Sequence, residues 1–211
     1  RVLVAHSDAP GPLRARAWAA CAYDRFYGGD FPGAGAGADR GLAEAVAAGD
    51  VRARARCRHA HGAIAFLFDP PVCRSAMAEA ITLARESGDR WCETDALQFL
   101  SFSHLLQHRP APAQEAMLRS AAMAEQEGNA FQLACHQLGL GMTAAAGARL
   151  VDSVAAARRG ADGAQRIGDP VIELWGRAQQ ATSELARGRF GDATVPLLRL
   201  LIDTEWPAVV V

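Results

Sequence analysis

The sequence predicts an all-α fold of about five antiparallel helix pairs repeating with a ~40-residue period. Three observations predict it. Gly followed by Asp or Asn recurs at Gly49-Asp50, Gly88-Asp89, Gly128-Asn129 and Gly168-Asp169, at spacings of 39, 40 and 40 residues. An Ala precedes each Gly by four residues: Ala45, Ala84, Ala124 and Ala164. Two further corners, Gly29-Asp30-Phe31-Pro32-Gly33-Ala34 and Gly188-Arg189-Phe190-Gly191-Asp192-Ala193, share the pattern G-x-F-x-x-A and lie 159 residues apart, which is four periods. Stepping from Ala22 by one period at a time meets a small residue each time: Gly62, Ser101, Gly141 and Ala181. Four residues after these come Phe26, Phe66, Leu105, Ala145 and Leu185.

Each observation has a physical meaning. Gly closes a helix in the left-handed conformation, where a Cβ is strained. Asp or Asn then caps the next helix through its side-chain oxygen. Pro170 follows Asp169 at the first helical position, where its missing N–H costs nothing. A small residue lets two helices approach, and a larger one a turn later fills the gap beside it.

The first helix of each pair, helix A, is expected at 13–27, 51–67, 90–107, 130–146 and 170–187. The second, helix B, is expected at 34–48, 72–87, 112–127, 150–167 and 192–203. The corners inside the pairs hold breakers: Gly28-Gly29, Pro70-Pro71, Pro110 with Pro112, Gly147 and Gly188. Gly33, Gly35, Gly37 and Gly41 make the first helix B the weakest element, expected to fray. Residues 1–10 read as the tail of an earlier helix, cut by Pro10 and Pro12. No stretch alternates apolar and polar residues as a half-buried strand does. Residues 1–211 read as a single helical-repeat domain, with repeats at about 13–50, 51–89, 90–129, 130–169 and 170–206. Its ends, at Arg1 and at Val209-Val210-Val211, read as those of a fragment of a larger protein.

Composition narrows the function. Half the residues are apolar and 21% are charged, the balance of a folded soluble chain. The net charge of −1 gives no general pull toward nucleic-acid phosphates, so no direct nucleic-acid binding is expected. All 22 basic residues are Arg, which excludes a Schiff-base lysine or a Walker lysine within this chain. The five cysteines, Cys21, Cys57, Cys73, Cys92 and Cys135, are scattered without a CxxC pair. They read as isolated buried thiols in a reducing compartment, hence a cytoplasmic protein. No run approaches the length of a membrane span, and the start Arg1 to Asp8 is too short and polar for a signal peptide.

The G-x-F-x-x-A corner, with a small residue seven before the Gly, resembles the core of the tetratricopeptide pattern. The long period with Gly-Asp corners is similar to the tetratricopeptide-like tails of bacterial ATP-dependent regulators. These are the large LuxR-type, MalT-like transcription activators and related ATPase–cyclase fusions. Leu13-Arg14-Ala15-Arg16-Ala17 through Gly29-Asp30-Phe31 to Gly49-Asp50, and Ile81-Thr82-Leu83-Ala84-Arg85-Glu86-Ser87-Gly88-Asp89, look like the actinobacterial forms. The resemblance covers nearly the whole chain and implies a right-handed superhelix, an α-solenoid. The second and third repeats depart from it, with Asp69 and His108 where the inner-corner Gly would stand. The fourth carries Gly147 one residue early and Val151 in place of an aromatic residue.

Catalytic and metal chemistry are poorly supplied. His104 and His108 stand four apart on one helix, but a metal needs a third ligand. His108 at the helix end reads more simply as a partner of the helix dipole. Cys57 and His61 have the same spacing, with His59 between them, and a packed thiol is the simpler reading. Cys135 and His136 are adjacent and point in different directions. Arg52, Arg54, Arg56 and Arg58 split into two stripes, 52/56 and 54/58, expected to be solvated or to meet an anionic partner. There is no phosphate loop and no G-x-S-x-G. No enzyme activity and no cofactor or metal are therefore expected.

What remains is surface. In tetratricopeptide arrays helix A lines the concave groove, and that rule, carried over by position, gives three rows. They run Arg16, Arg56, Asp95, Cys135, Trp175, then Ala19, His59, Gln98, Leu138, Ala178, then Tyr23, Ala63, Phe102, Met142, Thr182. A ligand or partner groove is expected at Tyr23, Arg56, His59, Phe102, Met142 and Trp175. Arg56 and His59 would bond an anion or carboxylate, and the aromatic rings would supply dry contact area. The expected function is a non-catalytic protein-interaction or effector-binding module of a multidomain signalling ATPase or transcription regulator. Its partner would be a protein, an ATPase domain of its own chain, a small effector, or a second copy of itself. The alternatives are a free-standing small-molecule-binding or enzyme-accessory repeat protein, and the same module in an ATPase–cyclase fusion.

Overall fold

Asp50, Asp89, Asn129 and Asp169 each accept a hydrogen bond from a backbone N–H at the start of the following helix. The Gly before each is left-handed, with φ of 65°, 67°, 64° and 71° in order. The backbone N–H of each capping residue donates back to the carbonyl of Ala45, Ala84, Ala124 or Ala164. This is the six-to-one bond of a Schellman corner. It explains why that alanine keeps its distance from the Gly: it is the residue at which the outgoing helix turns its last carbonyls inward, and all four alanines are buried.

The computed structural model describes residues 9–66 and 68–203, and among them are ten helices and no strand. They are α1 (Gly11–Tyr27), α2 (Phe31–Ala47), α3 (Val51–Ala65), α4 (Pro70–Ser87), α5 (Arg90–Leu106), α6 (Pro110–Gln126), α7 (Ala130–Ala146), α8 (Leu150–Ile167), α9 (Pro170–Ala186) and α10 (Phe190–Asp203). Odd-numbered helices are the A helices and even-numbered ones the B helices. The architecture is that of a tetratricopeptide-like helical-repeat solenoid. No helix among the described residues is long and apolar enough to cross a membrane. The expected helix tail falls at its start, residues 1–8, outside the described residues, as does Leu67.

Two expectations are corrected in detail. Helices α2, α4 and α6 begin two or three residues earlier than expected, because the prolines of these corners occupy the first helical turn rather than the turn before it. Asp30 and Asp69 provide the caps for α2 and α4. Helix α2 is continuous despite its glycines. A Cβ on Gly41 would stand 2.7 Å from Cys57 Sγ and 2.9 Å from Trp18 Cβ, so this glycine lets α2 press against α1 and α3. In the fourth repeat the left-handed corner residue is Ala148, φ 58°, while Gly147 has φ −87°. His108 takes the same strained role in the third, with φ 54°.

The chain forms two compact units, Arg1–Gln107 and His108–Val211, which divide between α5 and α6. In the first, α1 to α5 pack each on the next, and α1 also touches α3, as α3 touches α5. In the second, α6 to α10 pack in the same succession, and α7 touches α9. Within each unit successive A helices therefore meet directly. Among the described residues no B helix meets the next B helix within a unit.

The small-residue register is the interior of these contacts: Ala22, Gly62, Ser101, Gly141 and Ala181 are all buried. The residue four later is half-buried in the first four repeats and exposed at Leu185. Alanine dominates the core, as in the clusters of Ala15, Ala45 and Ala53 and of Ala22, Ala38 and Ala60.

Candidate functional site

The A-helix layer of the first unit carries a cleft of about 410 Å³ lined by Ala20 and Tyr23 from α1, Arg56 from α3 and Trp91 from α5. Three successive A helices thus each supply a wall. The ring of Tyr23 meets that of Trp91 edge-on at 5.8 Å, and the Arg56 guanidinium lies 5.5 Å from the centre of the Trp91 ring. That distance is within cation–π range.

Arg56 is held from behind. Its Nε donates to Asp89 Oδ2 at 2.6 Å and its Nη2 to Asp89 Oδ1 at 3.3 Å, a bidentate pair. Arg52 Nε reaches the same Oδ2 at 3.0 Å. Asp89 is fully buried and also caps α5. Burial alone would raise its carboxyl. The hydrogen bonds from Arg56 and Arg52, with their charge, outweigh burial and hold it below the usual carboxylate range. The hydrogen bond from Arg56 to Asp89 in turn raises the Arg56 guanidinium. Two guanidiniums thus share one buried carboxylate, which fixes Arg56 at the edge of the cleft.

Behind Tyr23 lies a buried polar chain. The Tyr23 hydroxyl bonds Nδ1 of His59, which is fully buried, and lies 3.3 Å from the Arg56 carbonyl. His59 Nε2 stands 2.9 Å from Asp95 Oδ2 on α5. The carboxylate lies off the ring N–H direction, so neither atom has a hydrogen-bond partner. Rings surround the imidazole: Tyr23 at 5.1 Å, Phe99 at 5.3 Å and Trp91 at 6.1 Å.

Of the six residues expected to form a groove, the structure brings Tyr23, Arg56 and His59 together. His59 has no surface of its own and reaches the cleft only through Tyr23. Phe102 is half-buried and joins Phe99 and Phe66 in an aromatic cluster rather than the cleft wall. Met142 on α7 and Trp175 on α9 belong to the second unit, where both are exposed, Trp175 at 58%. Phe131 and Val171 are exposed there too.

Trp91 and Asp89 are the residues that sequence reasoning missed as parts of the site. Trp91 had a signal: it stands one helical turn before Asp95 in the first row and one period after Arg52. Asp89 was read only as a cap. The first Arg stripe, 52 and 56, meets Asp89, and Arg58 of the second lies 2.9 Å from Glu79 on α4.

The thiols lie outside this chemistry. Burial pushes Cys57 up to about 12 and Cys73 up to about 11, and raises Cys92 as well. Among the described residues no three potential ligands cluster to hold a metal ion.

No family model and no curated protein matches the chain. Solved structures do. A Rap protein complexed with competence and sporulation factor superposes with TM-score 0.80 at 8% identity, over 90% of this chain and 53% of that one. A signal-transduction ATPase with numerous domains and a tetratricopeptide repeat sensor, from Pyrococcus horikoshii, gives 0.75 at 11% identity, over 95% of this chain and 32% of that one. A kinesin light chain from Podospora anserina with nearly identical tetratricopeptide-like repeats gives 0.69 at 12% identity, over 93% of this chain and 96% of that one. The chain thus spans about half the length of the Rap protein and a third of the ATPase. At these identities the likeness shows the fold, and that fold is the tetratricopeptide-like repeat solenoid.

Proposed function

We propose that the chain is a non-catalytic binding module whose A-helix face takes up a protein segment or small effector, as the sensing part of a multidomain signalling ATPase or transcription regulator. The observation that carries this reading is the cleft between Tyr23, Arg56 and Trp91. It combines aromatic walls with a fixed cation, the recipe for anchoring an anionic group on an apolar body. The similar architectures point the same way, one being bound to a sporulation factor and one serving as a repeat sensor on an ATPase.

A second reading is favoured by size. A cleft of about 410 Å³ lies within the range of small-molecule sites, which suits a free-standing effector-binding protein equally well. One experiment separates the two. The intact chain, Arg56→Ala and Trp91→Ala are screened against a peptide array and, by thermal shift, against small carboxylic acids. Array binding lost in both variants supports the protein-segment reading. Thermal shifts lost in both variants support the small-effector reading. Binding that both variants keep overturns the assignment of the cleft.

A further inference from the structure

We propose that α9 is a dimerisation helix, which pairs antiparallel with the α9 of a second copy of this chain about a two-fold axis at Ala178. The helix belongs to the second unit, and none of its residues lines the cleft.

Helix α9 is built inside out. Its three charged residues, Glu173, Arg177 and Glu184, fall on one side by helical geometry. Arg177 and Glu184 are buried there, and Arg177 Nη2 lies 2.9 Å from Asp162 of α8 and 3.4 Å from Glu173. Along the opposite side run Val171, Trp175, Ala178, Thr182 and Leu185, at spacings of 4, 3, 4 and 3 residues. They lie within about 40° of one line along the helix. Val171 is 52% exposed, Trp175 58% and Leu185 43%. A surface helix of a self-sufficient domain turns the other way round, with charges out and apolar side chains in. The apolar side of α9 is therefore a face that a partner covers.

The repeat shows what kind of partner that is. One period earlier, on α7, Cys135 and Leu138 take the places of Trp175 and Ala178, and both are buried. Helix α7 is followed by an A helix that touches it, α9. Among the described residues no A helix follows α9. Its face is a helix-stacking position left open. Phe131 and Met142 of α7, one period before Val171 and Thr182, are exposed as well and widen the apolar surface. Spacings of 4 and 3 in alternation make the seam along which two helices mesh.

The stripe is complementary to itself. Ala178 is its midpoint, seven residues from Val171 and seven from Leu185. An antiparallel copy brings the two Ala178 residues together, so the smallest side chain lies where the helices come closest. Val171 then meets the partner's Leu185, and Trp175 meets the partner's Thr182, large against small. The stripe holds no charge, so an isologous contact brings no like charges together. Antiparallel pairing also sets the opposite ends of the two helix dipoles side by side. A further A helix of the array would lie parallel to α9. It would meet the bulk of Trp175 at the place where α7 carries the small Cys135.

The test is sedimentation equilibrium of the intact chain at rising micromolar concentration, with cysteine cross-linking to fix the orientation. The expected mass is that of two chains. Trp175→Ser is expected to weaken the dimer roughly thirtyfold, as loss of an aromatic anchor does. Ala178→Arg, which sets two guanidiniums face to face on the axis, is expected to abolish it. Circular dichroism should show unchanged helix content in both. Under mild oxidation a mixture of Val171→Cys and Leu185→Cys chains should form a disulfide-linked dimer, and Val171→Cys alone should not. The natural chain, whose Cys21 is half-buried, is the control. The cross-link decides the matter even if a sedimentation variant fails to fold. A single-chain mass at every concentration overturns the proposal. So does a dimer that keeps its affinity in Trp175→Ser and Ala178→Arg. Cross-linking of Val171→Cys to itself shows a parallel pair, and growth beyond two chains shows end-to-end stacking; either overturns the two-fold pairing.

Discussion

Arg16 Nε lies 2.9 Å from Asp50 Oδ2, and this contact ties the first A helix to the capping residue of the second. One period on, Arg56 and Asp89 repeat it at 2.6 Å between the second A helix and the third. The capping residue that opens a helix thus also binds that helix to its neighbour. The device ends at the fourth A helix, whose cap is Asn129, which bonds Gln132 instead.

Asp89→Asn should separate the two duties of this side chain. Asn caps as well as Asp does, but it carries no charge for Arg52 and Arg56. The partners are partly exposed, so the expected loss at neutral pH is about 1 kcal/mol. The Asp89 carboxyl is held below its unfolded value, so its stabilising contribution is present above the ordinary carboxylate range and is lost as pH falls through the lower folded value. Chemical denaturation at a series of acid pH values should show a steep loss of stability in the natural chain below about pH 4 and a flatter one in the variant. Equal acid slopes would refute the pairing as a source of stability.

Ala148→Gly should stabilise. Ala148 holds φ 58°, a conformation that costs a Cβ-bearing residue about 1 kcal/mol. Relieving it should raise Tm by about 2–4 °C in a chain of this size. His108→Gly should act in the same direction, at φ 54°. Gly88→Val, which places a β-branched residue at φ 67°, should do the reverse.

Two helical glycines should respond oppositely to alanine. A Cβ on Gly176 would lie 2.9 Å from the Ala161 backbone nitrogen, and backbone cannot swing aside. Gly176→Ala should cost about 1–3 kcal/mol. Gly35 has nothing within 4 Å of such a Cβ. Gly35→Ala should gain about 0.5–1 kcal/mol in thermal or denaturant unfolding.

Thiol reactivity should follow burial. Cys21 is half-buried, and the other four cysteines are buried. Ellman's reagent at neutral pH should label Cys21 first, and Cys57, Cys73 and Cys92 only as the protein unfolds. Rapid labelling of Cys57 in the folded chain would contradict a thiol pushed up to about 12.

The helix pairs were legible in the sequence because their punctuation is local. A left-handed Gly, a capping Asp and an alanine acceptor lie within six residues, and each fixes its neighbour's backbone. The small register was legible because Ala22, Gly62, Ser101, Gly141 and Ala181 occupy equivalent places in successive contacts. The site was legible only in part. The periodic rows put Tyr23, Arg56 and His59 on the A face, yet a row does not say how deep each side chain sits. His59 is buried because the rings of Tyr23, Trp91 and Phe99 close over it, and these come from two other helices. Asp89 was hidden for a related reason. Its second partner set, Arg52 and Arg56, lies more than thirty residues away, and local spacing carries no mark of it. The glycines of α2 misled because propensity weighs an isolated helix, whereas Gly41 works against Trp18 and Cys57 of its neighbours.

The Gly-Asp corner has a consequence for how such a chain changes length. From the Ala84 carbonyl to the Cys92 amide, the corner closes one helix and opens the next with atoms drawn from nine consecutive residues. The corner from Ala45 to Ala53 is built in the same way. Genetic exchange between two such junctions joins like to like. Deleting 51–89 would set Arg90 directly after Asp50, with the bond from Asp50 to the Ala45 carbonyl untouched and Arg16 still beside its carboxylate. Whole periods can therefore be dropped or copied as interchangeable cassettes, and the array can grow or shrink without a new junction having to be invented.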